Sequence, residues 1–206
     1  KVLPKITKGE IENRERNHMK IINNITNTLA EDLRATVTGN SSLSIAAACF
    51  SVYAYEELKT QLEQIKQLRF LFTAPTFLPE QDTKEQREFY IPRKNREQTL
   101  HGSEFEIRLR NELNQKTIAR ECADWIRRKV TFKSNCTQET MPGFLVVDQA
   151  EPVVYAPVNG LTRADLGCER GDNLLSMIQQ LDAPETKAYL AVFDQLWADK
   201  KRMQNV

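Results

Sequence analysis

The chain has 206 residues, of which 40% are hydrophobic and 28% charged, and its 29 Lys and Arg nearly balance its 28 Asp and Glu. A chain of this length buries about 70% of its unfolded surface and needs no disulfide or metal to fold. The balanced charge excludes a histone-like basic protein, although it does not exclude a local basic patch. No apolar run approaches the roughly 18–20 residues that span a bilayer, and residues 1–10 lack the apolar stretch of a signal peptide.

The cysteines and histidines offer little material for metal or histidine chemistry. The four cysteines show neither C-x-x-C nor zinc-site spacing, so we expect reduced thiols in a cytoplasmic protein, with no metal and no cofactor. They are Cys49, Cys122, Cys136 and Cys168, and the only histidines are His18 and His101.

The first 40 residues are predicted to form an N-terminal arm followed by a helix. Residues 1–10 are polar, and between residues 11 and 35 apolar side chains recur at steps of three and four. Gly39 ends this helical pattern, as a glycine after a helix often does. We therefore divide the chain into this N-terminal region, 1–40, and a main domain, 41–206. The apolar positions are Met19, Ile22, Ile25, Leu29 and Leu33.

A parallel strand–helix–strand unit is predicted next. Residues 43–52 are small and apolar, residues 56–67 have a helical apolar face, and residues 68–73 form a second apolar run. This order is typical of a parallel crossover, which is right-handed by default.

A surface excursion, at about 77–102, follows the second strand, with a short strand predicted at 89–91. Its many charges and two prolines indicate a long loop, and such loops are often functional. Basic side chains beside Phe89 and Tyr90 could bind a nucleic-acid backbone and stack on a base, although the interleaved acidic residues also fit a simply solvated loop. The candidate nucleic-acid contacts are Arg87, Arg93, Lys94 and Arg96.

The rest of the chain predicts a long helix, several strands and a closing helix. The capping box Ser103–Glu106 opens a helix that reaches about residue 129. Strands are expected at 130–133, 143–147, 153–156 and 173–180, and a last helix follows Asp182. The fold class is therefore α/β, with a mixed sheet sandwiched between helices. The apolar face of the last helix comprises Tyr189, Val192, Phe193, Leu196 and Trp197.

The order of these segments resembles a known family. Residues 44–53 with 68–72, the stretch 106–126, Gly160–Gly167, Asn173–Leu175 and Phe193–Trp197 are similar to phospholipase D-like, nuclease-type domains. More specifically, they resemble the domains at the N-terminus of bacterial superfamily-two helicases. The resemblance implies a phospholipase D-like fold and a helicase domain in the same longer chain. Absence of an initiating Met also leads us to expect a fragment of a longer protein.

The catalytic motif of that family has no counterpart at the expected place. The family uses H-x-K on a strand, where the period of two puts His and Lys on one face, and the motif would fall near 141–145. His18-Met19-Lys20 is the only H-x-K, but it lies in the predicted helix, where positions two apart diverge by about 200°. The family's phosphate loop is also altered, with its degenerate counterparts at Asn159, Gly160 and Thr162.

We therefore expect a catalytically degenerate nuclease-like domain that acts as a nucleic-acid-binding or regulatory module of a helicase-type ATPase. The chain contains no Walker A motif, so ATP hydrolysis is not expected from these residues. Two alternatives stay open: a protein-interaction or dimerisation module without nucleic-acid contact, and an unconventional phosphodiesterase. Expected partners are DNA or RNA, the helicase domain and a second copy of the chain, with no membrane.

Overall fold

The computed structural model describes residues 19–74, 115–171 and 176–206. Within these ranges the chain forms one mixed eight-stranded sheet with the order β1-β7-β6-β5-β2-β3-β4-β8. The strands are β1 (Lys20–Ile22), β2 (Ser42–Ala47), β3 (Gln67–Phe72), β4 (Val130–Asn135), β5 (Phe144–Asp148), β6 (Val153–Ala156), β7 (Ile178–Leu181) and β8 (Met203–Asn205).

Five helices accompany this sheet in the described ranges. They are α1 (Leu29–Thr36), α2 (Val52–Glu57), α3 (Lys59–Gln64), α4 (Gln115–Lys129) and α5 (Glu185–Ala198). The helix predicted over 56–67 is two short helices, because the backbone leaves helical geometry at Leu58, whose φ is −111° and ψ 13°.

The parallel crossover is confirmed. β2 pairs in parallel with β3, and β3 pairs in parallel with β4, while all other neighbouring strands in the described ranges are antiparallel. The strands predicted at 143–147 and 153–156 are present as β5 and β6, which pair as an antiparallel hairpin with Val146 opposite Val154. The α/β class with a mixed sheet is thus confirmed, since strand alternation gives β2, β3 and β5 two apolar faces.

Helices cover both faces of the sheet. On one face, α1, α2, α3 and α4 bury the larger core, which includes Phe70, Tyr55 and Trp125. On the other, α5 packs over β2, β5 and β6, with Phe193 fully buried against Phe144 and Val146. Residues of α1 and β1 lie in the same core and the same sheet as residues beyond position 41.

The helix predicted over 11–35 is wrong for the residues described. Lys20–Ile22 forms strand β1, and the helix begins only at Leu29. Asn23 and Asn24 explain the break: the Asn23 carboxamide accepts hydrogen bonds from the Ile25 and Thr26 amides, and Asn24 has φ 55°. Such side-chain bonds compete with helical hydrogen bonding. Thr28 then caps α1 reciprocally with Glu31.

Two features at the C-terminal end also differ from expectation. Val192 is 48% exposed, so the apolar face of α5 is narrower than predicted. The chain after α5 turns back as β8 and pairs with β4, which local sequence did not indicate. The predicted excursion at 77–102, its strand at 89–91, the start of the helix at Ser103 and residues 173–175 lie outside the described residues.

A buried polar network holds β1 against α1. Tyr155, on β6, has no exposed surface, and its hydroxyl donates to Asp32 Oδ2 at 2.8 Å. Lys20 forms an ion pair with the other oxygen of Asp32. Burial, reinforced by the neighbouring Asp32 carboxylate, raises the pKa of Tyr155 far above its ordinary value. The edge strand β1 is therefore fixed by charge as well as by its pairing with β7.

Candidate nucleic-acid interface

The candidate phosphate loop, 157–162, extends the sheet beyond the end of β2. The Ala48 amide donates to the Asn159 carbonyl at 2.8 Å, and the Leu161 amide donates to the Cys49 carbonyl at 2.9 Å. The Ser51 amide in turn donates to the Leu161 carbonyl at 2.9 Å. The loop is thus held in register with the chain that leaves β2.

The three predicted loop residues lie together but have different environments. Asn159 is exposed, whereas Gly160 is buried. A Cβ at Gly160 would lie 2.5 Å from Asp165 Oδ2 and 2.6 Å from Cys49 Sγ, so only glycine fits there. Thr162 is 6% exposed, and its hydroxyl donates to Asp165 Oδ2 at 2.6 Å. Of the three, Asn159 alone directs an exposed side chain outward from this loop.

Asp165 holds the loop in place through Thr162, although its residue type and position did not mark it as a candidate site residue. Its carboxylate accepts hydrogen bonds from the Thr162 hydroxyl and amide, and its own amide donates back to the Thr162 hydroxyl at 3.1 Å. Burial raises the pKa of Asp165, and the hydrogen bonds from Thr162 and Gly160 counteract this only in part. The T-x-x-D spacing was the available sequence signal, since it is typical of a reciprocal cap.

An ionic cluster fixes the far side of the same loop region. Arg163 lies 3.2 Å from Glu57 and 3.7 Å from Glu169, and Arg34 lies 3.1 Å from Glu57. Burial, together with the Glu57 carboxylate, raises the pKa of the Cys168 thiol in this cluster. The cluster joins the loop to α1 and α2, so the loop has a defined position on the sheet.

The start of β5, where the resemblance would place a His and a Lys, is occupied by an apolar side chain and backbone groups. Pro142 is exposed, and the Gly143 carbonyl accepts a hydrogen bond from the Val158 amide at 2.9 Å. A Cβ at Gly143 would overlap the Val158 carbonyl. Phe144 is 3% exposed, and its ring packs 5.1 Å from Tyr189 and 6.2 Å from Phe193. None of the three residues 142–144 carries a titratable side chain.

A row of hydrogen bonds crosses the sheet at the C-terminal ends of β2, β3 and β4. We call it the strand-end row: Asn159, Ala47–Ala48, Thr73, Asn135–Cys136 and Arg202. The Thr73 amide donates to Ala47 at 3.0 Å, Asn135 Nδ2 donates to Thr73 at 3.1 Å, and the Cys136 amide donates to Arg202 at 2.8 Å. These bonds connect the Asn159 loop to the turn before β8 along the border of the sheet at which β2, β3 and β4 end.

The chain that precedes and follows residues 75–114 is attached near this edge. β3 ends at Phe72, and the next residue, Thr73, belongs to the strand-end row. α4 ends at the opposite edge, where Lys129 donates to the Glu63 and Ile65 carbonyls. At 1.5 Å per residue, the 15 residues of α4 span about 22 Å, close to the roughly 20 Å length of the six-residue strands β3 and β4. The start of α4 therefore lies back toward the strand-end row.

The four basic candidates in this segment, Arg87, Arg93, Lys94 and Arg96, lie outside the described residues. So do both histidines, His18 and His101. Their predicted roles therefore stay predictions.

Metal and disulfide chemistry find no support in the part of the chain that the structure describes. No disulfide joins the four cysteines, and the described ranges contain no cluster of His, Cys, Asp and Glu that could hold a metal ion. Burial raises the pKa of Cys122 to about 12, which leaves that thiol protonated. The helices in those ranges are also too short or too polar to cross a membrane.

No protein-family model matches the chain, and no curated protein is similar enough in sequence to be matched with it.

Proposed function

We propose that the chain is a catalytically degenerate phospholipase D-like domain that holds DNA or RNA along the strand-end row, as a binding or regulatory module of a helicase-type ATPase. Such a module positions the phosphate backbone and leaves it intact. The helicase partner is inferred from the resemblance of the motifs and their order.

The observation that carries this proposal is a contrast between the start of β5 and the neighbouring loop 157–162. The start of β5 carries Pro142 and the buried Phe144, where a nucleophile and a phosphate-binding cation would be required. The neighbouring loop nevertheless keeps a tight glycine at Gly160 and an exposed amide at Asn159. A loop retained without a nucleophile favours binding over cleavage.

The attachment of residues 75–114 adds to this argument. This segment contains Arg87, Arg93, Lys94 and Arg96, and the described residues on either side of it lead toward the strand-end row. Arginine and lysine side chains bind nucleic acid by displacing counterions from phosphates, so each contact makes binding more sensitive to salt.

Binding is tested by fluorescence anisotropy with labelled oligonucleotides of about 20 nucleotides, as single-stranded DNA, duplex DNA and RNA, titrated with the 206-residue chain at several salt concentrations. We expect affinity to fall with salt, and Arg87, Arg93, Lys94 and Arg96 should contribute about −2 to −4 to the log–log slope, as expected for three or four neutralised phosphates. Replacing Arg93, Lys94 and Arg96 together by Ala should flatten that slope. Absence of binding even at low salt would contradict the proposal.

Cleavage is measured on the same oligonucleotides, on denaturing gels, with and without divalent metal. We expect intact substrate throughout. Turnover that survives in a His18→Ala, His101→Ala double variant would overturn the degenerate assignment and favour an unconventional phosphodiesterase.

A protein-interaction or dimerisation module is the second candidate function, and one observation favours it. Strand alternation places Met19, Ile21 and Met177 on the face opposite the buried Ile22 and Ile178. These three side chains are 41–56% exposed. Ile21 lies in β1, while Met19 and Met177 directly precede β1 and β7, away from the central strands that α5 covers. Light scattering distinguishes this candidate: a stable dimer that Ile21→Lys dissociates, with no oligonucleotide binding, would replace the first proposal.

A further inference from the structure

The turn between α5 and β8, residues 199–202, is a preorganised loop at the end of the strand-end row. Asp199 Oδ1 accepts hydrogen bonds from the Lys201 and Arg202 amides at 2.9 and 3.2 Å, and the Met203 amide donates to the Asp199 carbonyl at 2.9 Å. These amide donors hold the pKa of Asp199 below its ordinary value. The turn keeps its shape without help from the lysine side chains.

The same turn is anchored to the loop that follows β4. The Cys136 amide donates to the Arg202 carbonyl at 2.8 Å, and the Cys136 thiol lies 2.9 Å from that oxygen. Since Cys136 directly follows Asn135, whose side chain bonds to Thr73, the turn is tied to the ends of β3 and β4. Because these hydrogen bonds fix the conformation of the turn before binding, the entropic cost of binding a ligand there is lower.

The three cations of the turn are not equivalent. Arg202 shares its charge with Glu139, at 3.6 Å, and with Asp199, at 3.8 Å. Lys200 and Lys201 are exposed, and no ion pair joins either ammonium to a residue within the described ranges. Two positive charges therefore face solvent at one end of the row.

We propose that Lys200 and Lys201 bind two backbone phosphates of the nucleic acid whose path along the strand-end row begins at Asn159. This inference rests on the proposed function and extends it to a second, separate contact. Asn159 and Arg202 are separated by four strand spacings, and at about 4.8 Å per spacing the distance is about 19 Å. Along the axis of a B-form duplex, at about 3.4 Å per base pair, that distance corresponds to about six base pairs.

Electrostatics near the turn favours the same partner. Lys133, on β4, lies 5.0 Å from the Trp197 ring and donates to the Trp197 carbonyl, just before the turn. Arg69 also faces this ring, at 5.8 Å, while Asp194 forms an ion pair with Arg69 at 2.7 Å. Cations thus outnumber carboxylates around the turn, and the two exposed lysines carry the excess. Backbone phosphates are the matching partner because they recur at a regular spacing.

The test is the salt dependence of oligonucleotide binding by a Lys200→Ala, Lys201→Ala double variant of the 206-residue chain. Loss of two phosphate contacts should reduce the log–log slope by about 1.4 for single strands and about 1.8 for duplex. The matched control is Lys66→Ala, Lys187→Ala, which removes the same charge from two exposed lysines away from the row. That control should leave the slope within about 0.5 of the wild-type value, because it removes no phosphate contact. Thermal unfolding followed by circular dichroism verifies that both variants fold.

The outcomes separate this inference from the proposed function. Wild-type binding with an unchanged slope in the Lys200→Ala, Lys201→Ala variant would refute the turn contact alone. An equal change in both double variants would also refute it, because the effect would then follow net charge. Absence of wild-type binding at low salt would overturn both proposals.

Discussion

Truncation of Phe193 to Ala should destabilise the protein by about 4 kcal/mol, because this side chain joins α5 to the sheet. Phe193 has no exposed surface, and its ring stacks on Trp197 at 5.5 Å and meets Phe144 edge-on at 6.2 Å. A buried Phe removes about 150–250 Å² from water, worth roughly 4–6 kcal/mol at about 25 cal/mol per Å². Measured Phe→Ala costs are about 3–5 kcal/mol, and the guanidinium of Arg69, 4.9 Å above the ring, also loses its contact.

Urea unfolding monitored by circular dichroism gives the free energy directly, and a thermal scan should show a fall of about 8–16 °C for a chain of this size. Val192→Ala is the matched control, since Val192 lies on the same helix with 48% of its surface exposed. That control should change the free energy of unfolding by less than about 0.5 kcal/mol. A loss below about 1 kcal/mol for Phe193→Ala, or an equal loss for Val192→Ala, would refute the packing described for α5.

Three further outcomes are expected. Introducing the H-x-K motif with Pro142→His and Phe144→Lys should create no phosphodiesterase activity. It should lower the free energy of unfolding in urea by more than about 3 kcal/mol, because the introduced ammonium would be buried in the core under α5. A folded, active variant would contradict the geometry of β5. The pKa of Asp165 is raised above its ordinary 3.8, so between the unfolded-state and folded-state pKa the folded protein binds more protons than the unfolded chain. The free energy of unfolding should therefore fall as pH rises through that window. Asp165→Asn should remove this pH dependence, and identical pH profiles of the two proteins would refute the reasoning. Cys122, whose pKa is raised to about 12 by burial, should react with iodoacetamide at about pH 8 only after unfolding, whereas Cys136 should react in the native state. Mass spectrometry identifies the labelled cysteine, and labelling of Cys122 in the native protein would contradict its burial.

The elements that could be predicted from the sequence are those whose side chains determine them locally. β2 and β3 are short apolar runs bounded by turn residues, and their parallel pairing follows from the helices between them. The β5–β6 hairpin has the same origin, in alternating apolar residues around a turn. At these positions local preference and tertiary packing agree.

Other features depend on contacts between distant parts of the chain. The spacing of Met19, Ile22 and Ile25 matches a helical period. In the structure, however, Ile22 is buried in strand β1, and the hydrogen bonds of the Asn23 side chain prevent a continuous helix. β8 is three residues long and exists because β4 offers an open edge. No local sequence pattern predicts β1 or β8.

The candidate site shows the same division. Gly160 could be singled out from its loop motif, but its contacts with Cys49 and Asp165 depend on the fold. The absence of His and Lys from residues 141–145 is visible in the sequence, whereas the burial of Phe144 under α5 depends on the fold. The turn at Lys200 follows the last helix in sequence, and only its hydrogen bond to the loop after β4 places it on the strand-end row.

Hydrogen–deuterium exchange with and without a saturating oligonucleotide of about 20 nucleotides tests the central claim most directly, because the two edges of the sheet serve as each other's control. The account predicts slower exchange at both ends of the strand-end row, in peptides covering 157–162 and 199–203. Peptides at the opposite edge, covering 38–42 and 64–68, should exchange at unchanged rates. Protection confined to that opposite edge, or no protection at the strand-end row when the oligonucleotide is bound, would contradict the account.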